Sequence, residues 1–269
     1  MIPKNTSRNP RKKLRYSIRI VIPALTVLCV IVFLRHIASA VYTVAVPGPR
    51  IENSDMYFSS NEDEDNDSII VWLDAGHGGA DIGTYVMHNG VRVYEKDITL
   101  SIVLKVYELF QQSQSDVKIL LTRSDDSYMH RHNRIRQWNY TAYTIAKADL
   151  VVSVHVDFYE GPTAQQVCGI QVNYYQNKYG NTGRVAITDR HFAQIMQDNM
   201  ISSTGARDRS IRGDRRFSIP VLSTMPAILI ETGFMSNYNE LSKLLTTEYQ
   251  MSIAEAIYNG IVEAAMFRV

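Results

Sequence analysis

The sequence predicts an α/β fold: a single domain on a mostly parallel, twisted sheet with helices on both faces. Three features point to it. Short apolar runs rich in β-branched residues, at 69–73, 117–121, 149–156 and 227–230, read as buried strands. The segments between them carry apolar residues at helical spacing, and such alternation favours parallel strands joined by helical crossovers. The run at Ile69 stops at Gly76-His77-Gly78-Gly79, a tight turn that leaves an imidazole at a strand's carboxyl end, the edge where open α/β sheets bind ligands.

At 269 residues the chain can bury one good core, and its formal net charge of +1 gives no global field for nucleic acid. The charge is unevenly spread. Residues 1–19 carry Lys4, Arg8, Arg11, Lys12, Lys13, Arg15 and Arg19 and no acidic residue, a basic flank expected to stay in the cytoplasm. Residues 20–40 form an apolar segment that reads as a signal anchor or a signal peptide. Ala38-Ser39-Ala40 matches a signal-peptidase site and favours cleavage, whereas 37–46 can extend the apolar stretch past Arg35 and His36 and favours an uncleaved anchor. Either way the remainder is expected on the periplasmic or extracellular face, held at the membrane unless the segment is cleaved. Residues 41–68 read as a linker, with Pro47, Gly48 and Pro49 followed by an acidic and amidic run over 61–67. Cys29 lies in the apolar segment and Cys168 is alone beyond it, so no disulfide framework exists and Cys168 reads as a packed thiol.

The folded part is residues 69–269. After the first strand, Ile98, Ile102, Val103, Val106 and Phe110 make one helical stripe, and Val117 opens the second strand. Ile135, Trp138, Ala142, Ile145 and Ala146 mark another helix. The third strand covers 149–156, and a fourth, over 169–175, alternates with period two. Phe192, Ile195, Met196 and Met200 set a further helix, and Pro226 precedes the fifth strand. The last helix runs from about 248 to 266 with Ile253, Ile257 and Ile261 as its core face.

Three of these strands end in residues that bind ligands: His77 after the first, His155 within Ser153-Val154-His155-Val156-Asp157, and Glu231 directly after Ile228-Leu229-Ile230. Parallel strands bring such ends to one edge. Glu95, just before the first helical stripe, reads alone as a helix-dipole partner but in this company can complete a metal site. Two imidazoles and a carboxylate are the ligand set of a hydrolytic zinc site, with water in the fourth position. Such a site needs one more carboxylate, off the metal, to move the proton. His77, Glu95, His155 and Glu231 supply that count. Taken singly, His155 also fits a satisfied core histidine and Glu231 a buried ion pair. No His-Glu-x-x-His, Gly-x-Ser-x-Gly or phosphate-binding glycine loop with Lys-Ser/Thr occurs.

Five stretches in order carry a resemblance: Asp74-Ala75-Gly76-His77-Gly78-Gly79-Ala80-Asp81, Glu95-Lys96-Asp97-Ile98-Thr99-Leu100, Leu121-Thr122-Arg123, Ser153 to Asp157, and Pro226-Ala227-Ile228-Leu229-Ile230-Glu231-Thr232-Gly233-Phe234-Met235-Ser236-Asn237. They resemble the motifs of the zinc-dependent N-acetylmuramoyl-L-alanine amidases, peptidoglycan enzymes that separate dividing cells and remodel spore cortex. The resemblance implies that His77, Glu95 and His155 hold Zn2+ and that Glu231 is the catalytic carboxylate. The bond cut would be the amide joining the lactyl group of N-acetylmuramic acid to L-alanine. Asp157 would support the ligands from behind. Arg212, within the cluster Arg207, Arg209, Arg212, Arg215 and Arg216, is a candidate contact to the carboxylates of an anionic stem peptide, the alternative being a solvated loop. Tyr174, Tyr175 and Tyr179 are candidates for a glycan-facing groove, with packing as the plainer role. The partners so implied are peptidoglycan, the membrane through the N-terminal segment and an activator protein, with no nucleic acid. A non-catalytic peptidoglycan-binding scaffold of the same fold is the second reading.

Overall fold

A computed structural model of the chain describes residues 68–128, 148–175, 184–214 and 225–269. The basic flank, the apolar segment and the linker expected over 1–67, the helix expected around Ile135 to Ala146, and Tyr179, Arg215 and Arg216 lie outside the described residues. No helix among the described residues is long and apolar enough to cross a membrane.

Six strands form the central sheet: β1 (Ile69–Ala75), β4 (Val117–Leu121), β5 (Leu150–Asp157), β6 (Gln171–Tyr174), β7 (Arg212–Gly213) and β8 (Ala227–Phe234), in the order β4-β1-β5-β8-β6-β7. β1 pairs parallel with β4 and β5, and β5 pairs parallel with β8; β6 is antiparallel to β8, and β7, parallel to β6, shares its reversed direction. The mostly parallel sheet read from the sequence is therefore present. A separate hairpin, β2 (Tyr85–His88) and β3 (Val91–Tyr94), turns on Asn89 and Gly90, both at positive φ, and feeds the first helix.

Among the described residues four α-helices cover the sheet: α1 (Glu95–Gln112), α2 (Asp189–Thr204), α3 (Tyr238–Leu244) and α4 (Thr247–Ala265). Their ends are chemically marked. Thr188, Asn237 and Thr246 cap α2, α3 and α4 by accepting backbone N–H groups, and Gly205 closes α2 in the left-handed conformation. α1 has no side-chain cap but carries Glu95 and Asp97 in its first turn, where the helix dipole favours negative charge. The predicted core faces are the observed ones: Ile98, Ile102, Val106 and Phe110 on α1, Phe192, Met196 and Met200 on α2, and Ile253, Ile257 and Ile261 on α4 are all buried in one cluster.

Strand alternation divides the sheet into two faces. Val71, Leu73, Leu150, Val152, Val154, Ile228 and Ile230 join the helices in the main core. The intervening residues of the same strands form rows across the other face. Trp72, Val151 and Ala227 are register neighbours in an apolar row, buried with Ala148 and Met225. One rung along, Asp74, Ser153 and Leu229 are neighbours, and the buried Asp74 accepts hydroxyl hydrogen bonds from Thr122 and Ser153, each at 2.7 Å. The next rung holds His155 opposite Glu231. The face thus passes from apolar to reactive toward the carboxyl ends.

Candidate active site

The turn after β1 presents the first histidine. His77 has φ 63°, a left-handed conformation that costs a non-glycine residue about 1–3 kcal/mol and persists only where the surroundings enforce it. They do. Gly78 and Asp81 exchange backbone hydrogen bonds of 2.7 and 3.0 Å, closing the turn on itself. Beneath it the fully buried Arg123 donates from Nε to the Ala75 carbonyl at 3.0 Å and from Nη2 to the carbonyls of Gly76 and Lys96 at 3.0 and 2.8 Å. One guanidinium thus ties the end of β1 to the first turn of α1. Gly76 passes so close to the second histidine that a Cβ there would lie 2.5 Å from His155 Cε1.

Glu95 is the hub. It is the first residue of α1 and only 4% exposed. Its Oε1 lies 3.2 Å from His77 Nε2 and 3.0 Å from His155 Nδ1, and it also accepts the Val156 N–H at 3.2 Å. Its Oε2 accepts the Thr84 N–H at 3.0 Å. Burial alone would raise its pKa, but hydrogen bonds and charge from His155 and His77 outweigh burial and hold the carboxyl far below the usual range. The two imidazoles meet edge to face with ring centroids 4.9 Å apart. One donor atom from each of His77, Glu95 and His155 lies within 4.8 Å of the others, a set that could hold a metal ion. All three residues singled out as ligands are therefore brought together.

Glu231 stands beside them. It lies inside β8, three residues before the strand's end, and is the register partner of His155 on the adjacent parallel strand. The sequence reading placed it after the strand; β8 continues through Thr232 and Gly233 because Met235 N–H and the Asp157 carbonyl prolong the pairing past a bulge between His155 and Asp157. Glu231 Oε2 is buried with no hydrogen-bond partner. Burial first, then repulsion from Asp157 and Glu95, pushes the Glu231 carboxyl well above the usual carboxylate range. The orphaned oxygen thus belongs to a carboxyl that two others, Asp157 and Glu95, repel when ionised, an arrangement a cation or a transferred proton would relieve.

An open cleft of about 380 Å³ exposes this group, lined by His77, Gly83, Thr84, Glu95, His155, Val156, Asp157, Phe158, Leu229 and Glu231. Asp157 lies in that lining and uses Oδ1 to accept the Phe158 N–H at 2.7 Å; burial raises its pKa against the opposing charges of Arg209 and Arg212. Arg212 does not line the cleft. It sits on β7 at the sheet edge, half in solvent, 3.4 Å from Asp214. Arg209 stacks over the Phe234 ring at 4.8 Å and donates to the Cys168 carbonyl. Cys168 is a free, half-buried thiol.

Sequence reasoning missed two residues of the site. Asp81 Oδ1 lies 2.8 Å from His77 Nδ1 and also accepts the Gly83 N–H at 3.2 Å. The only signal was its place four residues after His77, a spacing that brings side chains together on a helix but carries no such meaning in a glycine-rich turn. Arg123 was visible within Leu121-Thr122-Arg123, but its role depends on carbonyls 27 and 47–48 positions away in the chain.

Three comparisons bear on this geometry. The family model described as N-acetylmuramoyl-L-alanine amidase matches residues 71–263. The protein YqiI of Bacillus subtilis is 32% identical over 191 residues, which cover 71% of this chain and 82% of that protein. Among solved structures, an N-acetylmuramoyl-L-alanine amidase from Clostridium difficile 630 superposes with a TM-score of 0.63 at 31% identity, covering 73% of this chain and 96% of that one. The CwlD amidase of Clostridioides difficile, solved in complex with the GerS lipoprotein, gives 0.59 at 28% identity, covering 74% and 99%.

Proposed function

The chain belongs to the N-acetylmuramoyl-L-alanine amidase family, and from that premise we propose a zinc-dependent, exported enzyme in which His77, Glu95 and His155 hold the metal and Glu231 carries the proton. The bond hydrolysed is the amide between N-acetylmuramic acid and L-alanine in peptidoglycan, and the chain is a cell-wall amidase. The observation that carries the site assignment is the convergence of two imidazoles and one buried carboxylate within 4.8 Å, with Glu231 in register beside His155.

The donor set suits zinc: two nitrogen ligands and one carboxylate oxygen. Zn2+ held there supplies Lewis acidity toward the scissile carbonyl and makes water a readier nucleophile. The rest falls to the chain. Asp81 fixes the His77 ring by its Nδ1, leaving Nε2 directed at Glu95. Glu95, ionised and braced by the Thr84 and Val156 N–H groups, contributes the negative charge that draws a cation to two neutral imidazoles. Glu231 has an orphaned oxygen and a carboxyl disposed to accept protons, so it takes the proton of the attacking water and passes it to the departing amine of L-alanine. Asp157 borders the cleft, and the charges of Arg209 and Arg212 beside it suit the carboxylates of a stem peptide.

Residues 69–269 form the catalytic domain in this reading, reached through a linker over 41–68 from an apolar segment at 20–40 that directs export and tethers the enzyme unless it is cleaved, behind the basic flank at 1–19. An exported activator protein is included among its partners on the pattern of the CwlD–GerS complex. Catalysis takes precedence over a wall-binding scaffold because all four reactive positions are filled by the residue types the reaction needs.

Purified peptidoglycan treated with the chain should gain new L-alanine amino termini, lose that gain on chelation and recover it with added zinc. Release that is unaffected by a chelator strong enough to strip the protein would remove zinc from the mechanism. No release under any condition would remove the amidase reading itself.

A further inference from the structure

At Phe158 the cleft lining leads to two further uncharged rings that the fold leaves partly in solvent. Phe158 lines the cleft and is 40% exposed, its neighbour Tyr159 is 40% exposed, and Tyr238 is 52% exposed. They are connected by a braced backbone. Tyr159 N–H donates to Ser236 Oγ at 3.0 Å, Gln165 Nε2 donates to the Ser236 carbonyl at 2.7 Å, and Tyr238 N–H donates to Gln165 Oε1 at 3.0 Å. Gln165 therefore uses both ends of its amide to tie the segment after β5 to the start of α3. The Tyr238 ring then meets His88 of the β2–β3 hairpin at a centroid distance of 4.9 Å. The chain fixes the backbone that carries these rings and His88 covers part of Tyr238, while each ring residue keeps a large share of its surface in water, and neighbouring exposed apolar surface next to a cleft is what a binding site needs.

The substrate bond joins two unlike halves, an uncharged saccharide and an anionic peptide. Arg209 and Arg212, whose charges act on Asp157, suit the peptide half. The rings of Phe158, Tyr159 and Tyr238 carry no charge. Flat apolar faces with a phenolic edge match the C–H faces and ring-edge hydroxyls of pyranoses, and a rigid ring loses little conformational freedom on contact. The group is also continuous with the reactive cleft through Phe158. We propose that Phe158, Tyr159 and Tyr238 form a saccharide subsite that holds the glycan strand beside the scissile amide. This rests on the amidase reading for the identity of the bond in the cleft, but binding of the glycan does not require that the bond be cut. It also differs from the groove expected at Tyr174 and Tyr175, both half-buried, of which Tyr174 packs against the core.

Two arms test it with the full chain and the double variants Tyr159→Ala/Tyr238→Ala and Tyr159→Leu/Tyr238→Leu, the second keeping apolar bulk without the ring face. In the first arm, binding to glycan strands stripped of peptide is measured; the double variants should bind about tenfold more weakly, the size expected for two lost ring contacts. In the second, hydrolysis of a long glycan carrying stem peptides is compared with hydrolysis of a single N-acetylmuramoyl peptide. The ratio of the two kcat/KM values should fall by about the same factor, through KM. Unchanged glycan binding and an unchanged ratio would overturn the subsite. So would loss confined to capture of a protein partner, which would assign the rings to that partner instead. If the unmodified chain hydrolyses neither substrate, the amidase reading fails, and the peptide-free glycan arm still decides the subsite.

Discussion

Asp81 Oδ1 lies 2.8 Å from His77 Nδ1, across a four-residue turn closed by paired backbone hydrogen bonds between Gly78 and Asp81. The contact does more than join two side chains. His77 is held at a left-handed φ that its own conformational preference opposes, so its ring would drift without an anchor on the side away from Glu95. A carboxylate behind an imidazole also fixes which nitrogen carries the proton and raises the basicity of the other.

Asp81→Ala should therefore weaken metal binding by about 10–100-fold while leaving the fold intact. Asp81→Asn, which keeps an oxygen acceptor, should fall between. Competition against a fluorescent zinc chelator gives the affinities; three indistinguishable values would detach Asp81 from the site.

Glu231→Gln should abolish most of the activity, by about 10²–10⁴-fold, without loss of bound metal. Because burial already pushes this carboxyl toward its neutral form, and Oε2 has no partner to lose, the amide should not lower Tm. A fully active variant would remove Glu231 from proton transfer, and a strongly destabilised one would recast it as structural.

Much of this site was legible in the sequence because it lies on the sheet's regular part. Ile69, Leu150 and Ala227 begin strands whose continuous apolar runs are plain, and equal register carries His155 and Glu231 to the same rung. The helical stripe behind Glu95 marked its place, and the company of His77 and His155 marked its chemistry. What stayed hidden has different causes. The β2–β3 hairpin contains an Asn89-Gly90 turn, but its strands are four residues long and largely exposed, so no hydrophobic period marks them. α3 spans two turns and is specified mainly by its Asn237 cap. Arg123 looks like the end of a strand in sequence, and only the folded chain shows the buried carbonyls around it.

The metal-free protein should respond to pH in a way its metal-bound form does not. Burial lowers the His77 pKa, but Glu95 and then Asp81 outweigh this and raise it above its ordinary 6.5; its contribution is full below pH 6.5 and lost as pH rises through the raised value. Glu95 is displaced below its ordinary 4.5, so its contribution is present above pH 4.5 and lost as pH falls. The chelated protein should show its highest Tm between these limits. Metal requires both imidazoles neutral, so the stabilisation it adds should grow as pH rises. Scanning calorimetry with chelator and with zinc tests this, and two curves that stay parallel from pH 5 to 8 would count against the ligand set.

Arg123→Met should cost about 3 kcal/mol or more, because it strands the buried carbonyls of Ala75, Gly76 and Lys96. Arg123→Lys should recover only part of that, since an ammonium cannot span the three acceptors as a planar fork does. Denaturant unfolding measures both; a loss under 1 kcal/mol for the methionine variant would show that water replaces the guanidinium.

Gly83→Ala separates geometry from chemistry at the metal ligands. Gly83 has φ 63°, and a Cβ there would lie 2.6 Å from Glu95 Oε2 and 2.6 Å from His77 Cδ2. Neither neighbour can yield. Glu95 is fixed by the Thr84 and Val156 N–H groups, and His77 by Asp81 and its own closed turn. One methyl group therefore presses two ligands apart, on top of about 1 kcal/mol of backbone strain. Gly90→Ala is the matched control: its φ of 81° imposes a similar backbone cost, but nothing lies within 4 Å of the added carbon. The two variants should lose comparable stability when stripped of metal, while only Gly83→Ala loses zinc stoichiometry and amidase activity. Equal zinc content in both would mean that the ligands adjust to the methyl, and that the close approach of Gly83 is incidental to the site.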